Sequence, residues 1–467
     1  MIEDIKDLIR IPSIWSDKSS AGKPFGEEIA RCLNKILEIG DRLGFKVKNY
    51  DGYVGEMDMG EGDDIIGILC HCDVVSAGEG WLTDPFEPVI KDGNLYGRGS
   101  LDDKGPLVAC MYAVKKLSDE KKIPANVTVR IIVGTNEEED WNDIPYYLER
   151  AESLPKYSIV PDGQFPVIYC EKGLYDIDLF YQHNNGGCFD IRMEDFRSGS
   201  ARNTVAAKAE ATLAIRPDCL IEVASQLENI IENKKYKAHI SIKENRITLV
   251  TEGKPAHAMN PEKGINAGAL MLDILNEIRD YTFSHEIFLK EFCKLIGNDY
   301  SGEKAGLACE DKESGKLTVN VGRFEQQNNG DINMQVSIRY PASCKFEDIK
   351  EKVLSNLETD ILCVKEISLM EPVSFKKNDG FIQLLMQIYK EATGDMDSLP
   401  VSIGGATYAR AIPNAVAFGP VMPWEEELAH EPNEFINIAL LYEIEKIYYI
   451  TIEKMCEYIL LEGGDNS

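Results

Sequence analysis

No stretch of the 467-residue chain approaches the ~20 apolar residues that a membrane-spanning helix needs. The first residues, Met1-Ile2-Glu3-Asp4-Ile5-Lys6-Asp7, show no basic start ahead of an apolar core, so they do not read as a secretory signal. Positive charge is also in short supply: 50 Lys and Arg face 79 Asp and Glu, for a net charge of -29. Such a surface repels a polyanion, which excludes nucleic acid as a partner. The twelve cysteines fall at irregular spacing, unlike a disulfide framework, and fit reduced thiols in a cytoplasmic chain that needs no membrane. There is no internal repeat and no low-complexity tract. What remains is a chain of ordinary hydrophobic content, 44%, too long for one compact core and expected to form two domains.

The acidic residues are placed in clusters. His71-Cys72-Asp73 ends the apolar run from Asp64, and Asn136-Glu137-Glu138-Glu139 follows the run from Asn126 to Gly134. Pro161-Asp162-Gly163 follows Tyr157 to Val160, and Gly97 to Gly105 carries Asp102-Asp103 just ahead of a helical pattern over Lys104 to Leu117. Gly26 to Gly44 reads as an amphipathic helix, with Ile29, Cys32, Leu33, Ile36, Leu37 and Leu43 on one side. Alternating strands and helices predict an α/β sheet, and in such sheets ligands gather at the carboxyl ends of strands. Carboxylates and imidazoles collected there suit divalent cations such as zinc, manganese or cobalt. Cys70 and Cys72 flank His71, but strand alternation sends both thiols to the opposite face, where they pack.

From about Leu174 the texture changes to α+β. Strands are expected at Leu174–Tyr181, Ala207–Ile215, Ala238–Ile242, Ile247–Thr251, Lys316–Val321 and Ile332–Arg339, with helices at Ile221–Asn233 and Ala267–Tyr281. A helix at Gly380–Thr393, a strand at Ala415–Gly419 and a long helix from Phe435 then resume the first pattern. His430 lies beyond this stretch, so it can join the N-terminal clusters only if residues 174–372 form an insertion. The expected architecture is a doubly wound, mixed-sheet catalytic domain, residues 1–173 and 373–467, with a large inserted α+β lid domain.

At this level of detail the chain resembles the PepV-type dipeptidases, within the clan of dinuclear metallopeptidases that includes aminoacylases, carnosinases and glutamate carboxypeptidases. The resemblance runs through Gly80-Trp81-Leu82-Thr83-Asp84-Pro85-Phe86-Glu87-Pro88, Tyr96-Gly97-Arg98-Gly99, Glu171-Lys172-Gly173 and Gly253-Lys254-Pro255-Ala256-His257-Ala258. It continues through Arg339-Tyr340-Pro341, Gly404-Gly405-Ala406-Thr407-Tyr408-Ala409-Arg410 and Glu431-Pro432-Asn433-Glu434. Two departures touch no implied ligand: Cys72, and the unusually acidic Glu139-Asp140-Trp141-Asn142.

The resemblance implies a metal-dependent dipeptidase that cleaves unblocked dipeptides by attack of a hydroxide bridging two divalent ions. Zinc is the first expectation for those ions, with manganese or cobalt as alternatives. His71 and Asp162 would hold one ion, Glu138 and His430 the other, and Asp102 would bridge them. Two divalent cations against three carboxylates and a hydroxide give a neutral cluster, which a partly buried site tolerates. Asp73 would orient His71, Glu137 would act as general base, and His257, helped by Asn203, would stabilise the oxyanion. Arg339, with Arg410 and the Gly404-Gly405 loop, would receive the peptide carboxylate, since a guanidinium binds one in a bidentate manner. The Asp102–Asp103 peptide is expected to be cis. His183, His239 and His285 match nothing and read as structural or surface residues. The alternative reading is an N-acyl-amino-acid deacylase or short-peptide exopeptidase built on the same ions. An insertion this long resembles the lids of PepV-type dipeptidases, and that resemblance implies a monomer that admits only short peptides.

Overall fold

The computed structural model describes residues 1–183, 186–426 and 428–464. The chain divides into two compact units. The first combines Met1–Tyr169, Phe375–Val401 and the chain from Ala406 onward, and the second combines Cys170–Ser374 with Ser402–Gly405.

The first unit is built on a mixed sheet. Its centre is four parallel strands in the order Val127–Gly134, Asp64–His71, Tyr157–Val160 and Ala415–Ala417. Val54–Gly60 and Lys46–Tyr50 extend it in antiparallel fashion on one side, and Ile168 joins antiparallel to Ala417 on the other. The central strands Asp64–His71 and Val127–Gly134 are buried along nearly their whole length, and strands buried on both faces read as near-continuous apolar runs. Helix Lys104–Asp119 packs against the long helix Ile438–Gly464, both touch strand Asp64–His71, and Lys104 to Met111 are buried all round. Helix Glu27–Leu43 buries the predicted stripe and stops at Gly44, whose φ of 94° is the left-handed conformation that glycine adopts freely. Among the described residues no helix is long and apolar enough to cross a membrane, and all twelve cysteines are free thiols.

The second unit is an eight-stranded antiparallel sheet. Its order is Ala238–Lys243, Arg246–Glu252, Lys208–Ile215, Ile191–Ser198, Thr318–Gln326, Ile332–Tyr340, Gly173–Tyr181 and Leu362–Met370. Tyr175, Ile177, Leu179 and Tyr181 alternate into a core shared with helices Ala267–Asn276 and Glu286–Leu295.

Several expectations shift. The last helix begins at Ile438, because Phe435–Asn437 pairs as a strand with Asn94–Tyr96 and Asn437 then caps the helix through the Ala439 and Leu440 amides. The helix expected to reach Tyr281 ends at Asn276. Strand Ile191–Ser198 escaped the pattern because a bulge between Met193 and Asp195 breaks its two-residue period. Leu362–Met370 escaped it as a largely exposed edge strand with little apolar alternation.

His285 proves to be structural, as expected. It is buried, stacks on His183 with ring centroids 4.3 Å apart, and reaches the Gly330 carbonyl and the Ser284 hydroxyl, both at 2.8 Å. Burial pushes its imidazole down to about 4. The folded chain therefore keeps it neutral where an unfolded chain, near 6.5, takes a proton. Stability from this group is full above pH 6.5 and is lost as pH falls towards 4, by about 3 kcal/mol in all. Urea unfolding of the wild type and His285→Gln should show the wild-type advantage shrinking as pH drops from 7 to 4.5. An advantage that is flat with pH would mean the imidazole is not held neutral.

Candidate metal centre and active site

Asp64–His71 and Val127–Gly134 run in register to their last residues, His71 beside Gly134, so the segments that follow them leave the sheet at the same level. Gly134 is needed there: a Cβ would collide with the Tyr408 ring. The turn after Gly134 delivers Glu137 and Glu138, and the chain after Val160 delivers Asp162. Asp102 arrives on the loop before helix Lys104–Asp119, and its peptide bond to Asp103 is cis, as expected. His430 comes from a loop with φ of 68°.

These side chains converge in two groups that share one carboxylate. Ligand atoms of His71, Asp102 and Asp162 lie within 4.8 Å of one another, and so do those of Asp102, Glu138 and His430. His71 Nε2 is 2.9 Å from Asp102 Oδ1 and 3.9 Å from Asp162 Oδ2. His430 Nε2 is 3.1 Å from Asp102 Oδ2 and 2.9 Å from Glu138 Oε2. Asp102 thus turns one oxygen to each histidine.

The electrostatics describe a site short of positive charge. Burial, reinforced by the Asp102 carboxylate, pushes Asp162 up to about 7 and also raises Glu138. Burial and Asp162 hold Glu137 well above the usual carboxylate range. For Asp102, burial opposes the charge, but the imidazoles of His430 and His71 outweigh it and hold the group low. Carboxylates crowded against two imidazoles, with strand ends behind them, are a donor set that divalent cations complete. The residues present therefore fit divalent cations, and Asp102 belongs to both groups of candidate ligands.

The surrounding residues fix the geometry. The Asp73 carboxylate accepts the backbone N–H of Glu137 at 3.2 Å and of Glu138 at 3.0 Å. Its other contact refines the expectation: His71 Nδ1 is 3.0 Å from the Asp73 main-chain carbonyl and 3.5 Å from its carboxylate. Asp73 thus holds the Glu137–Glu138 turn as firmly as the imidazole. Three residues to which the sequence assigned no role complete this turn. Asp143 accepts the N–H of Thr135 at 2.7 Å and of Asn136 at 3.1 Å, Tyr408 donates its hydroxyl to Asp143, and the Trp141 indole donates to the Glu137 carbonyl at 2.6 Å. Glu434 is the fourth, buried beneath the Asp102 loop. It stands in the Glu-Pro-Asn-Glu segment close behind His430, which was the available signal; Asp143 offered none.

In the second unit the structure brings Asn203 and His257 together: Thr204 bridges His257, and the Asn203 carbonyl accepts the Ala258 N–H at 2.8 Å. Arg339 is paired in register with Thr318, whose hydroxyl donates to the Ala258 carbonyl at 3.3 Å. Gly404 packs on the same turn, where a Cβ would sit 2.8 Å from that of Met259. Three of the residues expected around the substrate, Asn203, Arg339 and Gly404, therefore lie around one turn, together with His257. Arg410 lies in the first unit, at the end of the short helical turn Tyr408–Arg410.

A mixed α/β unit whose strand ends hold two acid-histidine groups sharing one carboxylate defines a metal-dependent hydrolase. Residues 67–454 match the model of peptidase family M20/M25/M40, and the chain belongs to that family. It is a metallopeptidase, an enzyme acting on peptide bonds. It is 34% identical over 461 residues to the Bacillus subtilis (strain 168) protein named "Putative dipeptidase YtjP", covering 98% of this chain and 97% of that one. A Staphylococcus haemolyticus protein, "Putative dipeptidase SH1171", is also 34% identical over the same shares of the two chains. Among solved structures, the fold is similar to the Saccharomyces cerevisiae di-peptidase Dug1p, with TM-score 0.61, 14% identity and coverage of 98% and 95%. It is likewise similar to human carnosine dipeptidase 1, with TM-score 0.58, 15% identity and coverage of 98% and 96%.

Proposed function

We propose that the chain is a dipeptidase that hydrolyses unblocked dipeptides at a two-ion centre, with zinc as the first choice of ion. The observation that carries this reading is the sharing of Asp102 between the His71–Asp162 and Glu138–His430 groups. Manganese or cobalt suits the same donors. Ions of this kind, when bound, polarise a peptide carbonyl and bring the pKa of water down to about 7. The side chains do the rest. Glu137 takes a proton from the attacking water on its carboxylate and passes it to the leaving amine. His257 donates from Nε2 to the carbonyl oxygen as it gains charge, and Asn203 assists it. Arg339 receives the substrate carboxylate, supported by Arg410 and the Gly404-Gly405 loop. The names of the Bacillus subtilis and Staphylococcus haemolyticus relatives, each "Putative dipeptidase", support the substrate class.

Two measurements test this. Elemental analysis of active enzyme should find two ions per chain. A single tight ion with full turnover would end the two-ion reading. A substrate panel should show unblocked dipeptides, β-alanyl-histidine among them, cleaved faster than a tripeptide and an N-acetyl amino acid. Preference for either of the latter would move the assignment to an exopeptidase or a deacylase.

A further inference from the structure

Glu434 is completely buried, and its carboxylate accepts four hydrogen bonds within the first unit. The donors are Arg98 Nη1 at 2.7 Å and the backbone N–H groups of Gly99 at 3.1 Å, Leu101 at 2.8 Å and Asp102 at 3.2 Å. Arg98, 1% exposed, donates through Nη2 to the His430 carbonyl at 3.1 Å and lies over the Trp81 ring. One ion pair therefore holds the main chain at Asp102 and the main chain at His430, although the paired residues lie 336 positions apart. A buried ion pair is weak evidence for stability, because desolvating both charges cancels much of the attraction. Its geometry gives it another purpose.

The two halves of the centre are not equally supported. His71 closes a central strand, and its N–H is held by Asp103 at 3.2 Å, while Asp162 stands just past the end of another strand, after Pro161. His430 and Asn433 sit in irregular chain with φ of 68° and 66°, with no strand or helix to fix them. Glu138 is held by Asp73, but His430 depends on an external anchor.

We propose that the Arg98–Glu434 pair is a positioning device that sets the affinity of the His430 half of the centre for its ion. The inference rests on the two-ion reading above. Residues that orient ligands from behind are worth ~10–100-fold in metal affinity. The pair touches neither substrate nor reacting atoms, so its loss weakens ion binding and leaves the chemistry intact once both ions are loaded.

The test is zinc titration of the metal-free protein against a competing chelator, resolving two stepwise constants. The step belonging to the His430 half is identified as the one lost in His430→Ala. Glu434→Gln should weaken that step by ~10–100-fold and the other step by clearly less, and saturating zinc should return kcat to near the wild-type value. Because Glu434→Gln leaves Arg98 charged and buried, the charge-free double variant Arg98→Gln, Glu434→Gln is measured beside it. It should show the same selective weakening even if the single variant does not fold. Unchanged constants, equal weakening of both steps, or a kcat that stays low in saturating zinc overturn the proposal. If the wild type takes up fewer than two ions, the functional reading fails and this inference falls with it. If the wild type takes up two and the variants keep both steps, only the positioning role fails.

Discussion

Glu137→Gln should lower kcat by ~10²–10⁴-fold, the range for loss of a general base, with two ions still bound. The structure explains why the two readouts separate. Glu137 is placed by its main chain: its N–H goes to Asp73, and its carbonyl accepts the Trp141 indole. Neither contact involves the side chain being changed. Glu138 is held in the same way by Asp73. A glutamine at this position should therefore leave the turn, the Glu138 carboxylate and the Asp102–His430 contacts where they are, and remove the proposed proton acceptor. Single-turnover kinetics and elemental analysis on one preparation check both halves. Retention of more than about a tenth of kcat, well outside the range for a lost base, would assign the base elsewhere. A parallel loss of metal would mean that the carboxylate of Glu137 is itself a ligand.

The residues that converge in the first unit were readable because of where they stand. His71, Glu138 and Asp162 each follow an apolar run at the point where a strand must end, and in a parallel sheet those ends meet. His430 has no such strand before it, and only the resemblance to a family linked it to the others. The supports behind them were not readable for a different reason. Tyr408 meets Asp143 across 265 residues, and Glu434 meets the Gly99–Asp102 loop across more than 330. A polar residue paired at that distance looks in sequence like any surface acid or tyrosine. Ser402–Gly405 show the same limit: these four residues belong to the second unit, although the chain on both sides of them belongs to the first. Their allegiance comes from contacts such as that of Gly404 with Met259 and of the Ile403 carbonyl with the Lys172 N–H, at 3.0 Å. No local pattern encodes either contact.

His257→Ala should lower kcat by ~10²-fold or more, the scale of one lost oxyanion donor, with a smaller change in KM. The His257 ring is exposed, and its Nδ1 accepts the Met259 N–H at 3.1 Å. That bond fixes the tautomer of the neutral ring: the proton must sit on Nε2, which makes the outer nitrogen a donor. A donor aimed at charge that develops only during reaction acts on the transition state more than on the bound substrate. Arg339→Met should behave in the opposite way. The carboxylate it is proposed to receive is charged before the reaction starts, so its loss should fall mainly on KM. A dipeptide amide separates binding from folding. It should be a poor substrate for the wild type and lose little more in Arg339→Met, since the group that Arg339 recognises is already missing. Arg339 is 4% exposed and lies in register between Leu174 and Thr318, so a purely structural role would also damage the enzyme when it is removed. That damage would strike acid and amide substrates equally. A selective loss on the acid substrate identifies carboxylate recognition, and an equal loss on both would leave Arg339 as a strand residue of the second unit.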